Sequence, residues 1–201
     1  MKHKIGIFCM ILGVLLVTSS LLLFLHNRNE NVEAGKAVEN ILHEMEDLIA
    51  EENPSDSEEM IIVEIDGYGY IGHLSIPKLE LSLPIMSEWD YERLKIAPCR
   101  QFGSTKSDDL IIAGHNYDAH FGRLSQLEYG DLIMFTDMEG IARLYAVSAV
   151  ETLQSTQVTE MKSGEWDLTL YTCTYGGQSR ATVRFVEVDS REIYENLDFW
   201  N

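Results

Sequence analysis

Near the carboxyl end, residues 167–188 place a thiol and a guanidinium on two segments joined by a turn. Leu168 to Thr172 alternates apolar and polar positions with β-branched and aromatic residues, a strand pattern. Gly176-Gly177-Gln178-Ser179 is a turn sequence. Ala181, Val183, Phe185 and Val186 resume a strand. Cys173 therefore ends one strand and Arg180 opens the next, and a hairpin returns the second beside the first. A thiol is a nucleophile only as thiolate. A nearby imidazole can stabilise that thiolate and then protonate a leaving amine. When a thiolate attacks an amide, negative charge grows on the carbonyl oxygen, and a guanidinium or backbone N–H must meet it.

The imidazole has two sources in one neighbourhood. His115 follows the apolar run 110–113 and lies between Gly114 and Asn116, at a strand exit where functional side chains often sit. His120, five residues on, has no apolar strand leading into it. The guanidinium also has two sources, because Arg180 and Arg184 share strand parity.

Thr169-Leu170-Tyr171-Thr172-Cys173, a short loop and an Arg opening the next strand resemble the signature of the sortases. These are membrane-anchored cysteine transpeptidases of Gram-positive bacteria. Leu110-Ile111-Ile112-Ala113-Gly114-His115-Asn116 resembles that family's histidine motif, and the order His, Cys, Arg is the family's. The resemblance runs over residues 70–188. It implies a mainly β fold, a sortase-like closed β-barrel with short helices, preceded by an N-terminal transmembrane helix and a helical stalk. It also implies Cys173 as nucleophile, His115 as general acid/base and Arg180 as the oxyanion or substrate-positioning donor. Thr172 precedes the cysteine as in the family and is expected to help shape the substrate site. Arg184 then reads as a surface residue or one behind the site. The implied reaction cleaves a C-terminal sorting signal similar to Leu-Pro-x-Thr-Gly through a thioester and passes the protein to a cell-wall amine. The partners implied are surface proteins with such signals, a cell-wall precursor or peptidoglycan amine, and the membrane. Two alternatives stand beside it: a pilus-assembling sortase that joins pilin subunits, and a non-catalytic, membrane-anchored β-barrel binding module with an inert cysteine. A papain-like arrangement fits less well, since there the cysteine lies on a helix ahead of the histidine.

Residues 5–25 carry no charge and are dominated by Leu, Ile, Val and Phe, long enough to span a hydrocarbon core as a helix. Lys2 and Lys4 favour a cytoplasmic N-terminus. With no A-x-A-like cleavage site after Leu25, the segment reads as a signal anchor for an extracellular domain. The domains expected are a tip and anchor over 1–26, an acidic, partly helical stalk over 27–69, a catalytic barrel over 70–190 and a tail over 191–201. Beyond residue 26, 13 cationic residues face all 33 acidic ones, a formal charge of −20. That argues against nucleic acid, whose phosphates need a basic face.

Of three cysteines, Cys9 falls in the anchor. Cys99 and Cys173 are no disulfide framework, although a bridge between them stays open at this level. Within the stalk, Val38, Ile41, Leu42, Met45, Leu48 and Ile49 follow helical spacing and predict an amphipathic helix over 32–51, ended by Asn53-Pro54. Some sortases fold this segment over the active site as a lid, but the Asp-Pro-aromatic motif of such lids is not seen. Strands are expected over 70–76, 79–85, 110–113, 131–136 and 141–152, with 100–109 a loop, 121–127 a short helix and Pro84 at a strand end. His73 and His43 read as structural and surface residues. Tyr117, Asp118 and Tyr175 flank the site in sequence, and Asp118 could orient an imidazole. No metal-ligand spacing, phosphate loop or dinucleotide fingerprint appears, and no cofactor is expected. The connection 154–166 is short where one sortase class carries a long helical insertion, and the loop after Cys173, which in the family borders the substrate groove, is short as well.

Overall fold

The computed structural model describes residues 2–49, 57–162, 164–174 and 176–189. It divides into two compact units, Met1–Glu33 and Ala34–Asn201.

The boundary between them falls within helix α1 (Lys2–Glu46). The expected anchor helix and stalk helix are thus one element. Residues 26–31 contain neither Gly nor Pro to break it, and His26 faces Glu30 one turn on at 3.4 Å. In the first unit, α1 exposes Leu, Ile, Val and Phe on every side. The hydroxyl of Thr18 donates back to the Val14 and Leu15 carbonyls, so this polar group is satisfied within the helix. Among the described residues this is the one helix long and apolar enough to cross a membrane.

In the second unit, Ala34, Val38, Ile41 and Met45 recur at helical spacing and are all buried. Val38 joins the main core cluster, and Ile41 and Met45 join a second one. The strands are β1 (Val63–Ile65), β2 (Tyr68–Ile76), β3 (Leu81–Met86), β4 (Cys99–Phe102), β5 (Leu110–Gly114), β6 (Leu132–Asp137), β7 (Ala142–Gln154), β8 (Leu168–Cys173) and β9 (Ser179–Glu187). A short helix, α2 (Val158–Met161), lies between β7 and β8. The sheet order is β1-β2-β3-β4-β5-β8-β9-β7-β6. Pairing of β6 back onto β2 closes strands β2 to β9 into an eight-stranded barrel, with β1 outside the ring. The fold is mainly β and sortase-like, as the resemblance implied.

Four local expectations change. β4 falls in a segment read as a loop, because its four residues carry Arg100 and Gln101 and show no apolar alternation. β1 falls in the presumed stalk. It forms a two-residue hairpin with β2 through Asp66 and Gly67, both at positive φ (51° and 78°), the geometry an Asp-Gly pair favours. Pro84 sits inside β3, opposite His73. The other side of β3 pairs with β4 only at Met86↔Cys99, so a missing N–H is tolerated there. The expected helix over 121–127 is a single 3₁₀ turn, Leu124–Gln126.

The barrel interior is filled by alternate residues. Leu110 and Ile112 of β5, Leu168 and Leu170 of β8, and Val183 and Phe185 of β9 belong to one buried cluster. The residues between them, Ile111, Ala113 and Tyr171, belong to the second cluster, on the outer face of the sheet. This alternation decides which way each candidate side chain points.

Candidate active site

β5 and β8 run parallel, and Gly114 is the partner of Thr172. The residues that follow are His115, one position past the end of β5, and Cys173, the last residue of β8. β8 and β9 run antiparallel, and Cys173 is the direct partner of Arg180. Three residues separated by as many as 65 positions in sequence thus come to one end of three neighbouring strands, Cys173 and Arg180 as ladder partners and His115 just past the end of β5. Cys173 and Arg180 share the parity of Tyr171, so both face outward from the barrel. Cys173 is exposed and carries no disulfide, which closes the question of a bridge to Cys99.

Arg180 is held on the loop it follows. Its Nη1 donates to the Gly177 and Ser179 carbonyls, each at 3.0 Å. Thr174 ties the same loop, its backbone N–H and its Oγ1 both donating to the Ser179 carbonyl. Tyr175 lies outside the described residues. Thr172 has the opposite parity. It is 4% exposed, aligned with Leu168 and Leu170, and its Oγ1 is buried without a hydrogen-bond partner.

His115 is set by close packing. A Cβ on Gly114 would lie 2.3 Å from the Phe121 ring, so only glycine lets the loop fold back here. The Phe121 N–H donates to the His115 carbonyl at 3.1 Å, and those of His120 and Gly122 donate to the Tyr117 carbonyl. The Tyr117 ring stacks on His115, 3.8 Å between centroids and 21° between planes. Tyr117 was expected to flank the site, but the residue offered to orient the imidazole was Asp118, which is exposed. An aromatic two residues after the histidine was the available signal.

The rival histidine is accounted for. His120 is fully buried, and its pKa is lowered to about 4, first by burial and then by the neighbouring His115. A buried, neutral ring of this kind is poorly suited to donate a proton. The rival arginine is not on the surface. Arg184 is 1% exposed and ion-paired with Glu151 at 2.7 Å. Thr169 is its partner on β8, four residues before Cys173. Cys99 is buried, its Sγ against the Ala97 carbonyl and Met86 Sδ, and burial pushes its pKa up to about 12. It remains a thiol. His73, flanked by β3 and β6, is kept towards its neutral form by burial, and His43 is exposed. Among the described residues, no group of three or more His, Cys, Asp or Glu stands where it could hold a metal.

The model of the sortase domain matches residues 74–188, more than half of the 201-residue chain, and the chain belongs to the sortase family. A comparison with curated proteins finds no match. Among solved structures it is similar to sortase C1 from Streptococcus agalactiae, with 25% identity, a TM-score of 0.54, and 63% of this chain and 72% of that one covered. Sortase A from Corynebacterium diphtheriae is 24% identical with a TM-score of 0.54, over 61% of this chain and 62% of that one. Sortase C from Clostridium perfringens SM101 shares 20% identity, a TM-score of 0.53, and 80% of this chain and 90% of that one. The matched part thus spans less than two thirds of the corynebacterial chain.

Proposed function

We propose that this sortase-family chain is a cysteine transpeptidase with Cys173 as nucleophile, His115 as general acid/base and Arg180 as the donor to the developing oxyanion. The observation that carries the reading is the pairing of Cys173 with Arg180 beside the Gly114–Thr172 step that delivers His115. The Cys173 thiolate attacks the scissile carbonyl carbon, and the Arg180 guanidinium meets the charge on its oxygen. On collapse the C–N bond breaks, His115 protonates the leaving amine, and a thioester remains on Cys173. An acceptor amine then attacks the thioester carbonyl, its proton passes to His115, the C–S bond breaks and the thiolate returns. Thr172 shapes this site from behind the sheet.

The substrate in this reading is a surface protein with a C-terminal signal similar to Leu-Pro-x-Thr-Gly, and the acceptor is a cell-wall amine. Residues 1–26 are the cytoplasmic tip and single-pass anchor, 27–69 the stalk and 70–190 the extracellular catalytic domain; the tail expected over 191–201 lies outside the described residues. Lys2 and Lys4 ahead of the apolar helix support that orientation.

The test is the alkylation rate of Cys173 across pH in the full chain in detergent, with and without His115→Ala, read by mass spectrometry. A profile unlike that of a free thiol, changed by loss of His115, supports the pairing and justifies a peptide screen with amine acceptors. The mass of the joined product separates a cell-wall amine from a pilin lysine. A Cys173 that ignores His115 sinks the pairing and favours a binding module.

A further inference from the structure

Helix α1 comes up against the loop that carries His115. A Cβ built on Gly35 would lie 3.5 Å from the Cβ of Ala119, ordinary van der Waals contact. Ala34 and Val38, beside Gly35 on the helix, are 3% and 7% exposed. Val38 belongs to the core cluster that holds Phe121 and Leu124. Further along α1, Ile41 and Met45 leave that cluster for the outer one, with Tyr70 and Met86.

The loop 115–122 is closed on itself. The Phe121 N–H donates to the His115 carbonyl, and those of His120 and Gly122 donate to the Tyr117 carbonyl. A Cβ on Gly122 would lie 2.7 Å from the Tyr117 carbonyl oxygen and 2.8 Å from that of Asn116, so the turn is drawn tight against its own backbone. The Phe121 ring presses on Gly114 from one side, and the Tyr117 ring lies on His115 from the other. A close-packed loop of this kind transmits strain. A push at Ala119 therefore moves Tyr117 and Phe121, and the imidazole with them.

Glycine inside a helix weakens it relative to alanine. Gly35 stands inside α1 at the position that faces Ala119. The gap there takes a methyl at contact distance. A longer side chain carries atoms beyond that point. A β-branched one, held to one preferred rotamer in a helix, has little freedom to turn them aside.

We propose that Gly35 is a positioning residue for His115: by keeping α1 bare opposite Ala119, it lets the helix back the 115–122 loop and hold the imidazole beside Cys173. This rests on His115 and Cys173 being the acid/base and the nucleophile. Cys173 is exposed, so α1 backs the site and does not cover it.

The experiment uses the full chain in detergent and the pH profile of iodoacetamide alkylation at Cys173, read by mass spectrometry, with His115→Ala as the reference. The midpoint of that profile reports how far the imidazole holds the thiol as thiolate. Isoleucine favours a helix over glycine, so a loss in Gly35→Ile points to the contact and not to α1 itself. Gly35→Ile is expected to move the midpoint by about half or more of the shift that His115→Ala produces. Gly35→Ala should keep the wild-type midpoint, and Ala119→Gly added to Gly35→Ile should bring it most of the way back. A folded Gly35→Ile with the wild-type midpoint overturns the proposal. If Gly35→Ile does not fold, Val38→Ala, which only shortens a neighbouring buried side chain, takes its place, and an unmoved midpoint there overturns it as well. A midpoint that His115→Ala itself leaves unmoved brings down the pairing of His115 with Cys173 instead, and this inference with it.

Discussion

Cys173 and Arg180 face one another across the β8–β9 ladder, the last residue of one strand against the second of the next. The short hairpin fixes their approach by register. In the proposed reaction Arg180→Ala should lower the rate of thioester formation by about 10²- to 10³-fold, the usual cost of an oxyanion donor. Arg180→Lys should recover only part of this, because an ammonium lacks the planar fork. Single-turnover assays with a Leu-Pro-x-Thr-Gly peptide measure both. Equal rates in wild type and Arg180→Ala would remove Arg180 from the chemistry.

Gly114 and Phe121 set the histidine. With the added Cβ 2.3 Å from the ring, Gly114→Ala must push the loop off β5. Overpacking of this kind costs about 1–3 kcal/mol. The melting temperature should fall and the His115-dependent part of the Cys173 alkylation profile should shrink. Phe121→Leu in the same chain should restore part of both. A Gly114→Ala variant with unaltered melting and profile contradicts this packing.

Local pattern and remote pairing differ in how far they can be read from sequence. The apolar run 110–113 ending at Gly114, and the strand-turn-strand around Cys173, are local, and both stand in the fold where their periodicity puts them. The closed barrel follows from many short strands with turns between them. β4 was hidden because its pairing with β5, not its own composition, makes it a strand. Arg184 was legible only in part, as a residue on the surface or behind the site, because two of its partners, the Glu160 and Met161 carbonyls, belong to no side-chain pattern. The Asp66-Gly67 turn was visible and marked a strand inside the presumed stalk.

Tyr117 lays its ring against the imidazole of His115. Its ring lies 3.8 Å from His115, nearly parallel. Such a pair is worth about 0.5–1.5 kcal/mol beyond area burial. Tyr117→Phe should leave the proposed turnover nearly intact, and Tyr117→Ala should slow it several-fold through a misplaced imidazole. Kinetics of both variants decide this, and a Phe variant as slow as Ala would mean that the hydroxyl matters.

His120 ties stability to pH. Its folded pKa, about 4, lies below the unfolded value near 6.5, so the folded chain binds fewer protons. Its contribution is fully present above pH 6.5 and is lost as pH falls towards 4, up to about 3 kcal/mol. His73 is shifted in the same direction, so the slope is shared. Denaturant titrations at stepped pH should show His120→Leu with a shallower loss over this window than wild type. Parallel slopes in the two proteins would place the acid sensitivity elsewhere.

Met45 links the helix to the barrel domain. It is 1% exposed and joins Ile41, Tyr70, Met86 and Cys99 in the outer cluster. A buried methionine cut to alanine loses about 2–5 kcal/mol, according to how far the site collapses. Leu48, on the turn that follows, is 48% exposed and should tolerate alanine within about 0.5 kcal/mol. Met45→Ala should therefore unfold at clearly lower denaturant than Leu48→Ala, with Cys99 becoming reactive to thiol reagents first. Equal midpoints would mean that residues 34–45 only rest on the domain, and that the barrel needs none of the helix to stay folded.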